Sequence, residues 1–388
     1  MSLAPAPELP AWLRLNSASV FGPDRLRGLA GRLGVARAVS APVEELAQAG
    51  GLSLEAAGLL REMASGFDAA REMERSLDMG LRLILRDDPD YPDNLKAAAD
   101  APLVLYARGR LDGRRHALAI VGSRQPTVYG RRMARLFACE AASRLVICSG
   151  LARGIDTEAH RAALDAGGTT WAVLGSGLGR LYPAENSALA REIVDSGGCL
   201  LSEFPIDAAP KSENFPRRNR VVSGLSWATV VVEGRAQSGA LITARLAAEQ
   251  GREVFAVPGP ADSPLSEAPH RLISQGAKLV CSMADVWPEL PPACQAEPAA
   301  ADAAPERGLS GPLKSSAPAA PGAAHPAFPL ASTHKKILEL LGSDARSLEE
   351  LGQDSGLDLS RLSQALFEME LQDLVTAVPG QRYAKKSS

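Results

Sequence analysis

The residues that could do chemistry in this chain sit in short segments punctuated by glycine. Leu118 to Arg124 runs an apolar stretch into Gly122-Ser123-Arg124, with Gly130 close behind. A glycine there lets the backbone approach an anion, a following helix N-terminus adds its dipole, and Arg124 supplies a charge-assisted contact to phosphate. The spacing matches neither the GxGxxG of dinucleotide binders nor the GxxxxGK[ST] of nucleotide triphosphatases. Cys148 to Leu164 repeats the theme: Ser149-Gly150, then Gly154-Ile155-Asp156, then a helix containing His160. Asp156 is expected to cap that helix and His160 to be a satisfied internal histidine, because no third ligand or nucleophile stands at a matching spacing. Gly175-Ser176-Gly177-Leu178-Gly179 forms a third phosphate-tolerant loop.

The most informative segment is Lys211 to Arg220, KSENFPRRNR. Arg217, Arg218 and Arg220 fall within four positions, beside Phe215 and the amide of Asn219. Arginines neutralise a phosphate backbone, and an aromatic ring offers a stacking face to a base. A last candidate is Glu233 with Ser238-Gly239-Ala240-Leu241-Ile242-Thr243, where Ser238 reads as a helix cap.

These segments need elements that hold them together. Apolar runs without alternation recur at Leu118–Val121, Leu145–Cys148, Trp171–Leu174, Cys199–Leu201, Thr229–Val232 and Val254–Val257. Several end in Gly, Ser or Pro, with helical pattern between many of them. Strands buried on both faces and alternating with helices indicate an α/β fold with a doubly wound, mostly parallel sheet. In such sheets ligands bind outside the C-terminal strand ends, where these glycine turns lie.

Composition narrows the function classes. The 388 residues carry 42 Lys and Arg against 45 Asp and Glu, a net of −3, so any grip on nucleic acid is a local patch and not bulk charge. The five cysteines, Cys139, Cys148, Cys199, Cys281 and Cys294, form no CxxC pair and no cluster with histidine; reduced thiols are expected, with no metal and no cofactor. The N-terminus shows no basic leader before an apolar region, and no stretch approaches about 18 apolar residues, so a soluble cytoplasmic protein is expected. No nucleophile–base pair is apparent, so no catalytic residue is assigned.

Four segments are expected. Residues 1–80 read as short amphipathic helices, a SAM or helix-hairpin-helix-like module, with a Phe21-Gly22-Pro23-Asp24 turn and a helix opened by Ser53. Residues 81–290 hold the sheet. Residues 291–330 contain 9 Pro and 13 Ala and hardly any large apolar side chain, which marks a flexible linker. Residues 331–388 read as helices at 334–341, 347–353 and 359–374, followed by a hairpin at Pro379-Gly380, the pattern of a winged helix. Residues 332–388 carry seven basic against nine acidic side chains, a net of −2. Arg361 on the 359–374 helix stands against Glu368, Glu370 and Asp373, so this module is expected to bind protein rather than a major groove.

An ordered set of motifs carries a resemblance. YPDNL at 91–95, APLVLYARG at 101–109, IVGSR at 120–124, SGLARGID at 149–156, SEFP at 202–205 and FPRRNR at 215–220 resemble the DNA-processing protein A (DprA or Smf) family. So do VVVEGRAQSGALITA at 230–244, GREVFAVPG at 251–259 and LISQGAK at 272–278. The resemblance implies an extended Rossmann-like domain that binds single-stranded DNA, dimerises and loads the RecA recombinase in natural transformation, limiting the block by single-strand-binding protein, without catalysis. It places the DNA pocket at Arg124, Ser149-Gly150 and Phe215 to Arg220. In relatives a basic residue shortly before the FP dipeptide also serves DNA, and Lys211 is the candidate here, with Ser212, Glu213 and Asn214 between it and Phe215. SPLSEAPH at 263–270 departs from the family's Gly- and Asn-containing loop. The alternative is a nucleotide hydrolase of the phosphoribohydrolase type, whose PGGxGTxxE signature is replaced here by Glu233-Gly234-Arg235-Ala236-Gln237-Ser238-Gly239.

Overall fold

A computed structural model describes residues 8–295, 346–355, 375–378 and 382–385, together with Ile337, Leu340, Leu341, Leu362, Leu366 and Met369. The chain divides into two compact units, 1–307 and 308–388.

Unit 1 is built on a nine-stranded sheet. Its strands are β1 Arg82–Leu85, β2 Val104–Gly109, β3 Ala117–Val121, β4 Val146–Ser149, β5 Thr170–Val173, β6 Cys199–Ser202, β7 Ala228–Val231, β8 Glu253–Ala256 and β9 Lys278–Leu279. The order across the sheet is β1-β2-β6-β5-β4-β3-β7-β8-β9. From β6 to β9 all pairs are parallel, while β2 runs antiparallel to both β1 and β6. Six strands coincide with the apolar runs. The antiparallel flank β1–β2 and the two-residue β9 lie outside those runs: β1 exposes Arg82 and β9 is exposed at both residues, whereas β2 is buried over Val104–Ala107 and is an apolar run that the sequence reading passed over.

Successive side chains of a strand point to opposite faces, and β3 separates two cores that way. Leu118 and Ile120 join Phe137, Met133 and Ile155 of the helices α8 (Val128–Ala141) and α9 (Ile155–Asp165). Ala117, Ala119 and Val121 join Val221, Val222 and Ala240 of α11 (Asn214–Leu225) and α12 (Gly239–Glu249). Chain order explains where the loops meet: β3 to β6 build outward on one side of β3, and β7 to β9 on the other. That reversal opens a crevice above the C-terminal ends of β3, β4 and β7.

The N-terminal helices are α1 Leu9–Ser17, α2 Pro23–Leu33, α3 Val35–Ala38, α4 Val43–Gly50, α5 Leu54–Gly66 and α6 Ala69–Asp78. Gly22, at φ 82°, makes the turn into Pro23, and the Ser53 hydroxyl accepts from Ala56 N–H to open α5. Their Leu13, Leu26, Leu29 and Leu60 share one core with Leu103, Val104 and Tyr106 of the β2 region and Ile193 of α10 (Ser187–Asp195). Polar ties reinforce this. Asn16 Nδ2 donates to Glu203 O at 3.0 Å, and Ile206 N–H donates to Glu72 Oε1 at 2.8 Å.

In unit 2, β10 (Arg346–Ser347) pairs with β12 (Arg382–Lys385), which pairs with β11 (Val375–Val378), all antiparallel. A helix covers Leu348–Ser355, and Ile337, Leu341, Leu351, Leu362, Leu366, Met369 and Val375 form the core. The limits expected for the first and third helices, and the acidic side chains of 359–374, lie outside the described residues, as does the 296–330 part of the linker.

Candidate nucleic-acid interface

The crevice holds a cavity of about 500 Å³. Gly122, Ser123 and Arg124 after β3, Gly150 after β4, Gly234 and Arg235 after β7, and Ser238-Gly239 at the start of α12 line it together with Arg218 and Asn219. Two glycines make room for the ends of charged side chains. A Cβ on Gly150 would lie 2.5–2.6 Å from the Arg218 guanidinium, and one on Gly130 would lie 2.2 Å from the Glu233 carboxylate. Glu233, buried beyond β7, accepts from Thr127 N–H at 2.9 Å and from its hydroxyl at 2.5 Å, which places a negative charge at the N-terminus of α8.

Helix α11 distributes its arginines by helical geometry, at 100° per residue. Arg218 turns toward the cavity, is 4% exposed, and donates to the carbonyls of Gly150 and Val173. No carboxylate stands within ion-pair distance of it among the described residues. Burial lowers its pKa first; the Asp156 charge opposes that shift and the nearby Arg124 charge adds to it. Arg124 itself is exposed, without an ion pair among the described residues. The two guanidiniums thus line one open cavity without an ion pair to either among the described residues. Arg220 points the other way, ion-paired with the buried Glu203 and donating to the Asp100 carbonyl. Arg217 donates to Ser19 O at 2.9 Å and lies over the Phe204 ring, tying α11 to the N-terminal helices. Asn219 lines the cavity, accepting from Arg218 Nε at 3.2 Å and donating to Gly239 O at 3.3 Å.

Around the floor of the cavity most polar groups are engaged with the protein. Asp156 does not cap its own helix as expected; Gly154 is the N-cap of α9, and the carboxylate reaches back to accept from Gly150 N–H at 3.0 Å and Ala152 N–H at 3.3 Å. It lies inside the first turn, so the nearest unpaired amides are those of the preceding loop. Burial pushes its carboxyl above the usual range. His160 is only half satisfied: its Nδ1 meets the Thr170 hydroxyl at 2.6 Å, its Nε2 is buried without a partner among the described residues, and burial drops its pKa to about 3. The Ser238 hydroxyl also makes no cap bond; it turns against Gly234 and has no partner among the described residues. Ser149 donates to Ile120 O at 2.7 Å, stitching β4 to β3.

The sequence-derived set thus divides. Gly122, Ser123, Arg124, Gly150, Arg218 and Asn219 meet at the cavity. Gly175, Ser176 and Gly177 do not line it. Gly177 N–H donates to Ala208 O, the Ser176 hydroxyl donates to Arg180 O, and Gly175 leaves room for the Phe215 ring, whose Cδ1 would lie 2.7 Å from an added Cβ. Lys211 is exposed and outside the cavity. Phe215, half-buried, borders an adjoining recess with Arg124, Gly150, Arg153, Tyr182 and Arg218. The Arg124 guanidinium lies 5.5 Å from its ring centroid, and the Tyr182 ring 5.6 Å away at 50°. SPLSEAPH folds back on the Gly234 turn, whose N–H donates to Leu265 O at 2.7 Å, and leads into a helix over Glu267–Ser274.

Sequence reasoning missed three residues here. Leu151 is buried with φ 57°, a left-handed conformation costly for a side-chain-bearing residue. Asn186 Nδ2 holds its carbonyl at 2.8 Å. Tyr182 belongs to the same loop; an aromatic four residues before an amide in a Pro-containing stretch was the available signal.

A doubly wound sheet with arginines and glycine turns around a cavity at its switch point, and no dinucleotide fingerprint, defines a protein of Rossmann-like fold. Comparison with known proteins narrows this. The chain belongs to the DprA/Smf family: the family described as DNA recombination-mediator protein A matches residues 82–291, and the DprA winged helix domain matches 321–381. Unit 2 is therefore a winged-helix domain. Protein Smf of Escherichia coli is 38% identical over 378 residues, covering 95% of this chain and 94% of that one. DNA processing protein DprA of Bacillus subtilis is 42% identical over 217 residues, 55% of this chain and 73% of its own. The solved DprA of Streptococcus pneumoniae superposes with a TM-score of 0.63 at 32% identity, covering 75% of this chain and 99% of that one. No helix of the described residues is long and apolar enough to cross a membrane, and no group of three His, Cys, Asp or Glu among them is placed to hold a metal ion.

Proposed function

We propose that this protein binds single-stranded DNA irrespective of sequence and loads the RecA recombinase onto incoming DNA in natural transformation, as a homodimer and in exchange with single-strand-binding protein. Family membership supports the recombination role. The observation that carries the DNA reading is the convergence of Arg124 and buried Arg218 on one open cavity, with an aromatic recess beside it. A phosphate between the two guanidiniums relieves their repulsion, and an adjoining ring takes the base, a combination every nucleotide satisfies. Arg217 and Arg220, engaged by Ser19 and Glu203, act on the fold of α11 rather than on DNA. Binding without covalent chemistry is favoured over a phosphoribohydrolase activity because the carboxylates nearest the cavity are already bound, Glu233 by Thr127 and Asp156 by two backbone amides.

Fluorescence anisotropy with single-stranded, duplex and mononucleotide ligands at two salt concentrations tests this. Arg218→Ala should weaken single-strand binding equally for all sequences and reduce the log–log salt slope by about 0.7 for each phosphate that is no longer neutralised. An unchanged slope and affinity would put the groove elsewhere. Recombinase loading is read separately, as RecA filament formation on strands coated with single-strand-binding protein.

A further inference from the structure

Phe215 is the ring that the sequence singles out for stacking, yet in the folded chain it is hemmed in. Arg124 lies over it, Gly175 abuts its edge, and Tyr182 stands against it at 50°. Tyr182 is the open ring of this group, 41% exposed, on the loop between β5 and α10. Three features suit it to a planar ligand. It lines the recess that Arg124 and Arg218 share with the cavity, so a base on its face stays joined to a phosphate held there. Phe215 supports it from behind, and the Asn186 side chain fixes the end of the same loop by bonds to Leu151 O and Thr157 Oγ1 at 2.8 and 3.0 Å. Arg153, on the same rim, is paired among the described residues only with exposed Glu185, an ion pair that water screens and a phosphate can replace.

We propose that Tyr182 is the outer stacking platform of the groove and takes a nucleobase of single-stranded DNA, with Phe215 as its backing ring. This rests on the single-stranded DNA reading and carries the track outward from the cavity, past Tyr182 toward Arg153.

The test measures binding of a short oligonucleotide with 2-aminopurine placed at successive positions, using the full chain and its Tyr182→Leu and Tyr182→Phe variants. Tyr182→Leu keeps apolar packing on Phe215 but removes the π-face. Its affinity should fall between about 5-fold and about 150-fold, the range for removal of one base–aromatic stack, with the salt slope unchanged. Tyr182→Phe should bind as the parent does. One 2-aminopurine position should be quenched on binding by the parent and by Tyr182→Phe, and not by Tyr182→Leu. If Tyr182→Leu binds and quenches like the parent while Arg218→Ala loses affinity, the platform is elsewhere and the DNA reading stands. Equal losses in Tyr182→Leu and Tyr182→Phe, or a weakened Tyr182→Leu with quenching retained, overturn the stacking role. A parent chain with no affinity for single strands overturns both proposals.

Discussion

Arg218 and Arg220 stand two residues apart on one helix, are both nearly inaccessible, and have opposite surroundings. About 200° of helical rotation separates them. Arg220 meets the buried carboxylate of Glu203, itself held by its backbone carbonyl to Asn16 of α1. Arg218 meets carbonyl oxygens and faces a second cation. A buried arginine with a buried carboxylate is an internal strut, closed to other anions. One held by neutral acceptors beside a cavity, with its nearest carboxylate, Asp156, outside ion-pair contact, stays open to an anion that enters. The two halves of FPRRNR therefore have different surroundings, one facing the cavity and one facing the N-terminal helices.

Removing the strut should have the largest effect. Arg220→Ala leaves Glu203 buried without its cation and should destabilise unit 1 by about 3–5 kcal/mol in denaturant unfolding. The protein that remains folded should keep its single-strand affinity. If affinity falls while stability holds, Arg220 reaches DNA and the contrast collapses.

The aromatic recess comes next. Phe215→Ala removes the ring that contacts Arg124 and backs Tyr182, and should cost roughly 1–3 kcal/mol of single-strand binding without changing the salt slope. A lowered melting temperature with unaltered affinity would make Phe215 a packing residue, on the same footing as Arg220.

The buried floor beneath Arg218 can be read by pH. The His160 pKa is depressed to about 3 by burial, with the Arg218 charge adding to the shift, against about 6.5 in the unfolded chain. The unfolded state then binds the proton first, so stability is full above pH 6.5 and is lost as pH falls toward 3, at about 1.4 kcal/mol per unit. A His160→Gln variant should lose that part of the slope between pH 6 and pH 4. An unchanged slope would assign the acid sensitivity to the carboxylates.

The smallest effect is expected from the winged-helix unit. Ending the chain near residue 295 should leave single-strand affinity within about twofold in the same anisotropy assay, because the cavity is built wholly from unit 1. Duplex DNA binding by the 331–388 fragment at physiological salt, with micromolar or better affinity, would contradict the protein-binding role expected from its acidic balance.

Much of this molecule follows from its sequence alone. The doubly buried apolar runs marked six of the sheet's nine strands because a parallel strand between two helical layers admits mostly apolar side chains, and the glycine turns marked strand ends because a close backbone approach excludes a Cβ. The antiparallel flank stayed hidden: Arg82 faces solvent on β1, and its pairing with β2 depends on chain closing at long range. Which arginine faces the cavity was equally illegible, since four adjacent positions of one helix look alike until their rotation and neighbours are fixed. The sequence could not separate Arg218 from Arg220, or show that Gly175 and Gly177 accommodate the fold while Gly150 makes room for a guanidinium. Composition and local spacing are properties of the chain, but the partner that meets each charge comes from distant segments, Glu203 for Arg220 and the Val173 and Gly150 carbonyls for Arg218. Only the folded sheet brings those segments together, and so only the tertiary structure determines which cation is left for a ligand.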